Sequence, residues 1–422
     1  MSSPLLLCLA LPLAAGPQAA PPPADHGLSP VAAFLAGGDL AGAEAALNET
    51  LEKSPGDDDA LFSLGVVKFL GGIEEFVQFL SAHGSTDRLG GLLPFARLPA
   101  PPNADPQPVS YEQWRQARVE LIAAFDEADA VLAKIDGPVD VRLALAELRL
   151  DLNGDGSAGE GERVLSLLGR GGLQLEGRRG VRGDEPPAGD GLVTHFDRAD
   201  AEWLRGYCDL LSAILETMLA HDAENWWNHC AHLLFAEPEG VPAYLLTDLG
   251  EGFSVGRIAD AVAAIHHVNF PVREPERMSR ARQRLLGMIG HSRAMWELIL
   301  AETDGDREWI PGPGQSSSTG VTMSRERVDG WLTFLDEAEA LLNGEKLVPF
   351  WRPQPADRAD APNGVNLRRV FEEPRRFDLV EWVQGPGAEP YLERGEATDP
   401  AVWRRLQRLF NGNFFGFAVL IN

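Results

Sequence analysis

Asp197 to Met218 reads DRADAEWLRGYCDLLSAILETM. Leu204, Tyr207, Cys208, Leu211, Ile214 and Met218 recur there at the three- and four-residue steps that line one face of a helix. Asp197 is a residue type that accepts a hydrogen bond from the open first turn of a helix, and Asp200 places negative charge beside the positive end of the helix dipole. The same grammar repeats on both sides. Downstream, Pro275 and Glu276 open a long helix with Leu285, Ile289, Ser292, Trp296 and Ile299 on one face. Ser324 starts another through Trp331, Leu335 and Leu342, and Asn343 with Gly344 stops it. Upstream, Ser110 and Gln113 form a capping box ahead of Trp114, Leu121, Ile122, Phe125, Val131 and Leu132, and a further helix is expected from about Val139 to Leu150. The pattern predicts a mainly α fold of helical hairpins and a helix bundle.

The punctuation between these helices divides the chain. Leu98 to Val109, LPAPPNADPQPV, carries five prolines and reads as a non-helical linker. Gly169 to Gly191 holds eight glycines with Arg170, Arg178, Arg179 and Arg182, which reads as a long flexible, solvated insertion. After Gly344, the runs Lys346 to Trp351, Val365 to Phe371, Phe377 to Val383 and Phe414 to Ile421 are short, β-branched or aromatic, and split by Pro and Gly. They predict a small strand-rich C-terminal region that includes a helix from Asp399 to Leu409. The expected units are a leader over 1–20, helical regions over 24–97 and 110–168, the flexible loop 169–193, a helical core over 194–343 and a mixed region over 344–422.

Composition narrows the function. The 422 residues carry 37 Lys and Arg against 63 Asp and Glu, a net charge of −26, which repels phosphate backbones and anionic lipid headgroups. No nucleic-acid partner is expected. Residues Pro4 to Ala15, PLLLCLALPLAA, form an uncharged apolar run followed by small residues and Pro21 to Pro23. That is the layout of a cleaved secretory signal without the usual basic residue in front, and it predicts an exported, periplasmic or secreted protein with no membrane span in the mature chain. Cleavage would leave Cys208 and Cys230, expected as buried free thiols because both lie on apolar helical faces.

The most specific motif is Asp151 to Glu162, DLNGDGSAGEGE. It resembles the calcium loop of the EF-hand family, in which alternate residues of a tight turn direct oxygen ligands inward and a glycine at the sixth position permits the bend. The resemblance implies side-chain ligands from Asp151, Asn153 and Asp155, the backbone carbonyl of Ser157, a water-mediated contact at Gly159 and both carboxylate oxygens of Glu162. Calcium suits such a set because it is a hard cation that takes six to eight oxygens in a flexible shell. Ala158 stands at the eighth position, where the family usually has a branched apolar residue that pairs with a second loop, and the chain has no second loop of this kind. The implied site is a solitary structural clamp. Leu143, Leu145, Leu148 and Leu150 are expected to form its entering helix, and Val164, Leu165, Leu167 and Leu168 its exiting one.

Gly38 to Pro55, GDLAGAEAALNETLEKSP, continued by DDALFSLG from Asp58, resembles a tetratricopeptide repeat over about one and a half units. Gly38 and Asp39 would make the hairpin turn, Ala43 the close helix contact and Pro55 the stop. This is too little for a free superhelix, so a short helical hairpin packed on the rest is expected. FDRADAEWLRGYC from Phe196 and GVNLRRVF from Gly364 are similar to stretches of exported bacterial proteins of unknown function, which implies no activity.

Two further constellations could carry chemistry. His229 and His232 lie one helical turn apart, near His221, and could hold zinc, although no third ligand stands at a diagnostic offset. Glu302, Asp304, Asp306 and Glu308 precede the Gly, Pro and Ser loop Pro311 to Gly320, as an active-site rim or second cation site would. The function expected is calcium binding, in a scaffolding or interaction protein with a possible protein partner. The rival expectation is a hydrolytic enzyme with a pocket between the central helices and the C-terminal region.

Overall fold

A computed structural model describes residues 27–86, 100–164, 192–247, 255–318, 320–352 and 361–409. The expected leader 1–20, the Gly/Arg segment 169–191, the expected exiting helix beyond Val164 and the run Phe414 to Ile421 lie outside the described residues. The chain is mainly α-helical.

The N-terminal part is three helices: α1 (Val31–Gly37), α2 (Leu40–Lys53) and α3 (Asp58–Ala82). Asp39 accepts the Gly42 N–H at 2.8 Å and Asp57 the Ala60 N–H at 3.0 Å, so each turn supplies the cap of the next helix. Ala43 is fully buried, as the close approach of two helices requires. Helix α4 (Tyr111–Leu132) begins with the expected capping box, in which Ser110 Oγ accepts the Gln113 N–H and Gln113 Oε1 accepts the Ser110 N–H. It lies against α3, with Phe69 stacked on Phe125 at 5.1 Å.

The centre of the molecule is the pairing of α5 (Arg198–Leu219) with α8 (Pro275–Ala301). Asp197 and Asp200 form a reciprocal capping box at the start of α5. The face it buries differs from the expected stripe. Leu204 and Cys208 are buried, but Ile214 is 51% and Met218 48% exposed, while Ala201, Ala213, Ser212, Glu216 and Leu219 face inward. The reason is that α5 is held between α4 and α8, where small side chains let neighbouring backbones approach and Glu216 meets Arg277 at 2.8 Å and Arg280 at 3.0 Å. Helix α9 (Arg325–Leu342) packs on α8 through Trp331 and ends at Asn343, with Gly344 at φ 71° in the left-handed conformation that favours glycine.

The helix expected from Val139 to Leu150 does not form. Val141–Ala144 is instead strand β1, antiparallel to β2 (Val193–Phe196), with Val141 opposite Phe196 and Ala144 opposite Val193. Val141, Leu143 and Ala144 are buried on this ladder. The partner strand lies about fifty residues downstream in sequence, so local periodicity carries no trace of the pairing. A short helix α6 (Glu224–Cys230) and α7 (Val255–His266) follow α5.

The C-terminal region is mixed, with less strand than expected. Strands β4 (Val348–Pro349), β5 (Gly364–Val365) and β7 (Leu392–Glu393) form a three-stranded sheet, and β3 (Asn269–Phe270) pairs with β6 (Phe377–Asp378). The remainder of two expected strands is helical, α10 (Leu367–Glu372) and α11 (Leu379–Gln384), because Asn366 and Asp378 cap them through the N–H groups of Arg369 and Glu381. Helix α12 (Pro400–Leu409) packs on α9.

Candidate metal centre

The loop Asp151 to Glu162 is wound around its first residue. Asp151 Oδ1 accepts the N–H groups of Gly154 at 2.8 Å and Asp155 at 3.2 Å, and its Oδ2 accepts that of Gly156 at 2.8 Å. Gly154 and Gly156 have φ of 74° and 87°, which turns the chain tightly enough for these bonds to form. Asn153 Oδ1 accepts the Asp155 N–H at 2.8 Å, and Asp155 Oδ1 accepts from the Ser157 N–H at 2.9 Å and the Ser157 hydroxyl at 2.8 Å. Hydrogen bonds from the Ser157 hydroxyl and from Asn153 hold the Asp155 carboxyl below its usual range. Glu162 returns to close the loop: Oε1 accepts the Leu152 N–H at 3.0 Å and Oε2 the Gly159 N–H at 2.7 Å. It is also the buried member of the set.

The loop is closed by a ladder rather than by an entering helix. Leu150 donates to the Glu162 carbonyl at 3.0 Å and Val164 to the Leu148 carbonyl at 2.9 Å, so the strand-like ends at Arg149 and Arg163 meet directly. Leu145, Leu148, Leu150 and Leu152 are buried beneath it, which accounts for the leucine spacing without a helix. Helix α3 contributes two neighbours that the motif does not include. Glu74 Oε2 accepts the Asp151 N–H at 2.7 Å and Gln78 Nε2 donates to the Asp151 carbonyl at 2.6 Å. Burial pushes the Glu74 carboxyl up to about 7, against the Asp151 N–H that lowers it, and the nearby charges of Asp151, Glu75 and Glu162 add to the rise.

The donor set is oxygen throughout, carboxylates from Asp151, Asp155 and Glu162 with the Asn153 amide and the Ser157 carbonyl. That is the chemistry of a hard divalent cation, and the five expected residues lie on one short loop, with the carboxylate oxygens of Asp151, Asp155 and Glu162 not all within 4.8 Å of one another.

A second acidic centre was only partly legible. Among the described residues, Asp197, Glu302 and Glu308 place carboxylate oxygens within 4.8 Å of one another. They come from the N-cap of α5, the residue after α8 and the loop beyond it. Glu308 is buried and accepts the Asp306 N–H at 2.9 Å, and Glu302 accepts from Gln315 Nε2 at 3.0 Å. Burial pushes Glu302 up to about 8, Gln315 opposes this, and Asp197 and Glu308 add to it. Burial likewise holds Asp200 well above its usual range, with Asp197 reinforcing it. Of the acidic residues singled out in sequence, Glu302 and Glu308 meet here. Asp306 instead turns to Arg142 at 2.8 Å, and Asp304 offers Gln315 its backbone carbonyl. Asp197 carries a double role, cap and cluster member, and only its capping role has a local sequence signal.

The histidines go separate ways. His229 stacks on His267 with ring centroids 4.2 Å apart, while buried His232 places Nε2 3.5 Å from Asp260. Cys208 and Cys230 are both buried free thiols. Compared with protein-family models, curated proteins and solved structures, the chain gives no match. Among the described residues no helix is long and apolar enough to cross a membrane.

Proposed function

We propose that this is an exported calcium-binding helical protein with a scaffolding or interaction role, in which the loop Asp151 to Glu162 takes one ion and clamps the segments around it. The observation that carries the reading is the path of the loop: two carboxylates and an amide on the alternate residues Asp151, Asn153 and Asp155, wound about Asp151 and closed by the buried carboxylate of Glu162. Bound calcium supplies the positive charge these groups lack. Asp151, Asn153, Asp155, Ser157 and Glu162 hold it; Glu74 and Gln78 fix the backbone of Asp151 from below. The leader residues support export.

The test is metal analysis of the purified protein with a calorimetric calcium titration. One equivalent bound, with a dissociation constant of roughly 0.1 to 1 mM as in extracellular modules, supports the reading; no binding refutes it.

One observation favours the hydrolytic alternative. Glu302, raised to about 8, carries its proton at neutral pH beside two further carboxylates, as a general acid would. That centre lies where α5 begins and α8 ends. A substrate screen that found a hydrolytic activity lost in Glu302→Gln and Glu308→Ala would favour it.

A further inference from the structure

Calcium loops of the EF-hand type use their eighth residue to pair with a second loop. Here that residue is Ala158, and what it meets is the turn between α1 and α2. A Cβ placed on Gly38 would stand 2.2 Å from the Ala158 Cβ, so neither position tolerates a larger side chain while the two are seated. Gly38 has φ 71° and ends α1. The segment leading into the loop reinforces the seat, because Arg149 donates its N–H at 3.0 Å to the Leu35 carbonyl, the same oxygen that accepts the Gly38 N–H at 3.3 Å at the end of that helix.

The helix that ends against the loop and the one that follows it bury few side chains. Helices α1 and α2 bury Val31, Ala32, Leu35, Leu40 and Ala43, whereas α3 alone buries thirteen residues. A unit with few buried side chains opens at lower cost than the rest of the fold. The loop is therefore in contact, at Leu35 and Gly38, with the part of the N-terminal region that buries the fewest side chains.

Resting on the calcium reading above, we propose that the ion at Asp151 to Glu162 controls the docking of the α1–α2 hairpin, with the Gly38–Ala158 contact in the place of the missing second loop. Drawing Asp151, Asp155 and Glu162 onto one cation fixes the intervening backbone, including Ala158, and so fixes the surface on which Gly38 sits. Without the ion, the loop is freer to move and the hairpin loosens. Linkage makes the coupling reciprocal: whatever unseats the hairpin weakens calcium by the same factor.

The experiment is hydrogen exchange read by mass spectrometry on the whole chain, in excess chelator and in about 5 mM calcium. Calcium is expected to slow exchange across 31–53 by about tenfold as well as across 151–164. Ala158→Val keeps all five ligands but needs the space of Gly38. It should weaken calcium by about tenfold and abolish the protection of 31–53 while the loop still becomes protected. Ala158→Gly adds no bulk and should reduce the effect on 31–53 without unfolding the protein, which covers the case in which the valine variant does not fold. Calcium uptake with protection confined to 151–164, or wild-type affinity in Ala158→Val, overturns the coupling alone. No calcium uptake by the wild type overturns the metal site and the coupling together.

Discussion

Trp331 donates its indole N–H to the Ser292 hydroxyl at 3.0 Å, joining α9 to α8 where both side chains are shut off from water. Replacing the hydroxyl removes the acceptor and leaves a polar N–H in an apolar setting. Ser292→Ala should destabilise the protein by about 1 to 2 kcal/mol. Thermal unfolding measures this directly, and an unchanged midpoint would show that the bond contributes nothing net.

Glu302 ties stability to pH. Its folded value of about 8 lies above the ordinary 4.5, so the folded state holds its proton where the unfolded state has lost it. The resulting stabilisation is complete below the lower value and disappears as pH rises through the upper one. Glu302→Gln keeps an oxygen for Gln315 and cannot ionise. It should match the wild type near pH 4 and exceed it near pH 9 by on the order of 1 kcal/mol, discounted because the side chain is only partly buried. Parallel stability curves for the two proteins across that range would exclude the effect.

Calcium removal should be felt modestly. At about 1 mM ion and a dissociation constant of about 0.1 mM, mass action adds about 1.4 kcal/mol, a rise of a few degrees in Tm for a protein of this size. Magnesium should do much less, since it demands a tighter octahedral shell and gives up its waters reluctantly. Glu162→Gln weakens the closing ligand and Asp151→Ala deletes the first, so differential scanning calorimetry of either should show no calcium-dependent shift.

The thiols should be inert. Burial pushes Cys230 up to about 12 and Cys208 higher still, so neither is a thiolate at neutral pH. Maleimide should label neither quickly in the native state and both after unfolding. Rapid labelling of either in the folded protein would contradict the packing of α5 or α6.

Local chemistry was enough to place most helices. The caps at Ser110, Asp197 and Ser324, the proline at 275 and the stop at Gly344 act within one turn of chain, and the structure uses each of them as read. The candidate calcium loop was legible for the same reason: all five of its donors lie within twelve consecutive residues. What only the tertiary structure decided depends on partners far away along the chain. The leucine spacing of Leu143 to Leu150 suits a helix locally, and pairing of Val141–Ala144 with Val193–Phe196 makes its start a strand that turns at 145–147 instead. Ile214 and Met218 keep the helical period and still face water, because the faces of α5 that become buried are chosen by α4 and α8. Asp197 joins Glu302 and Glu308, and Ala158 meets Gly38, only once the helices have packed. Periodicity and capping are short-range and therefore written in neighbouring residues, whereas a convergence of side chains is created by packing and leaves no pattern in any one segment.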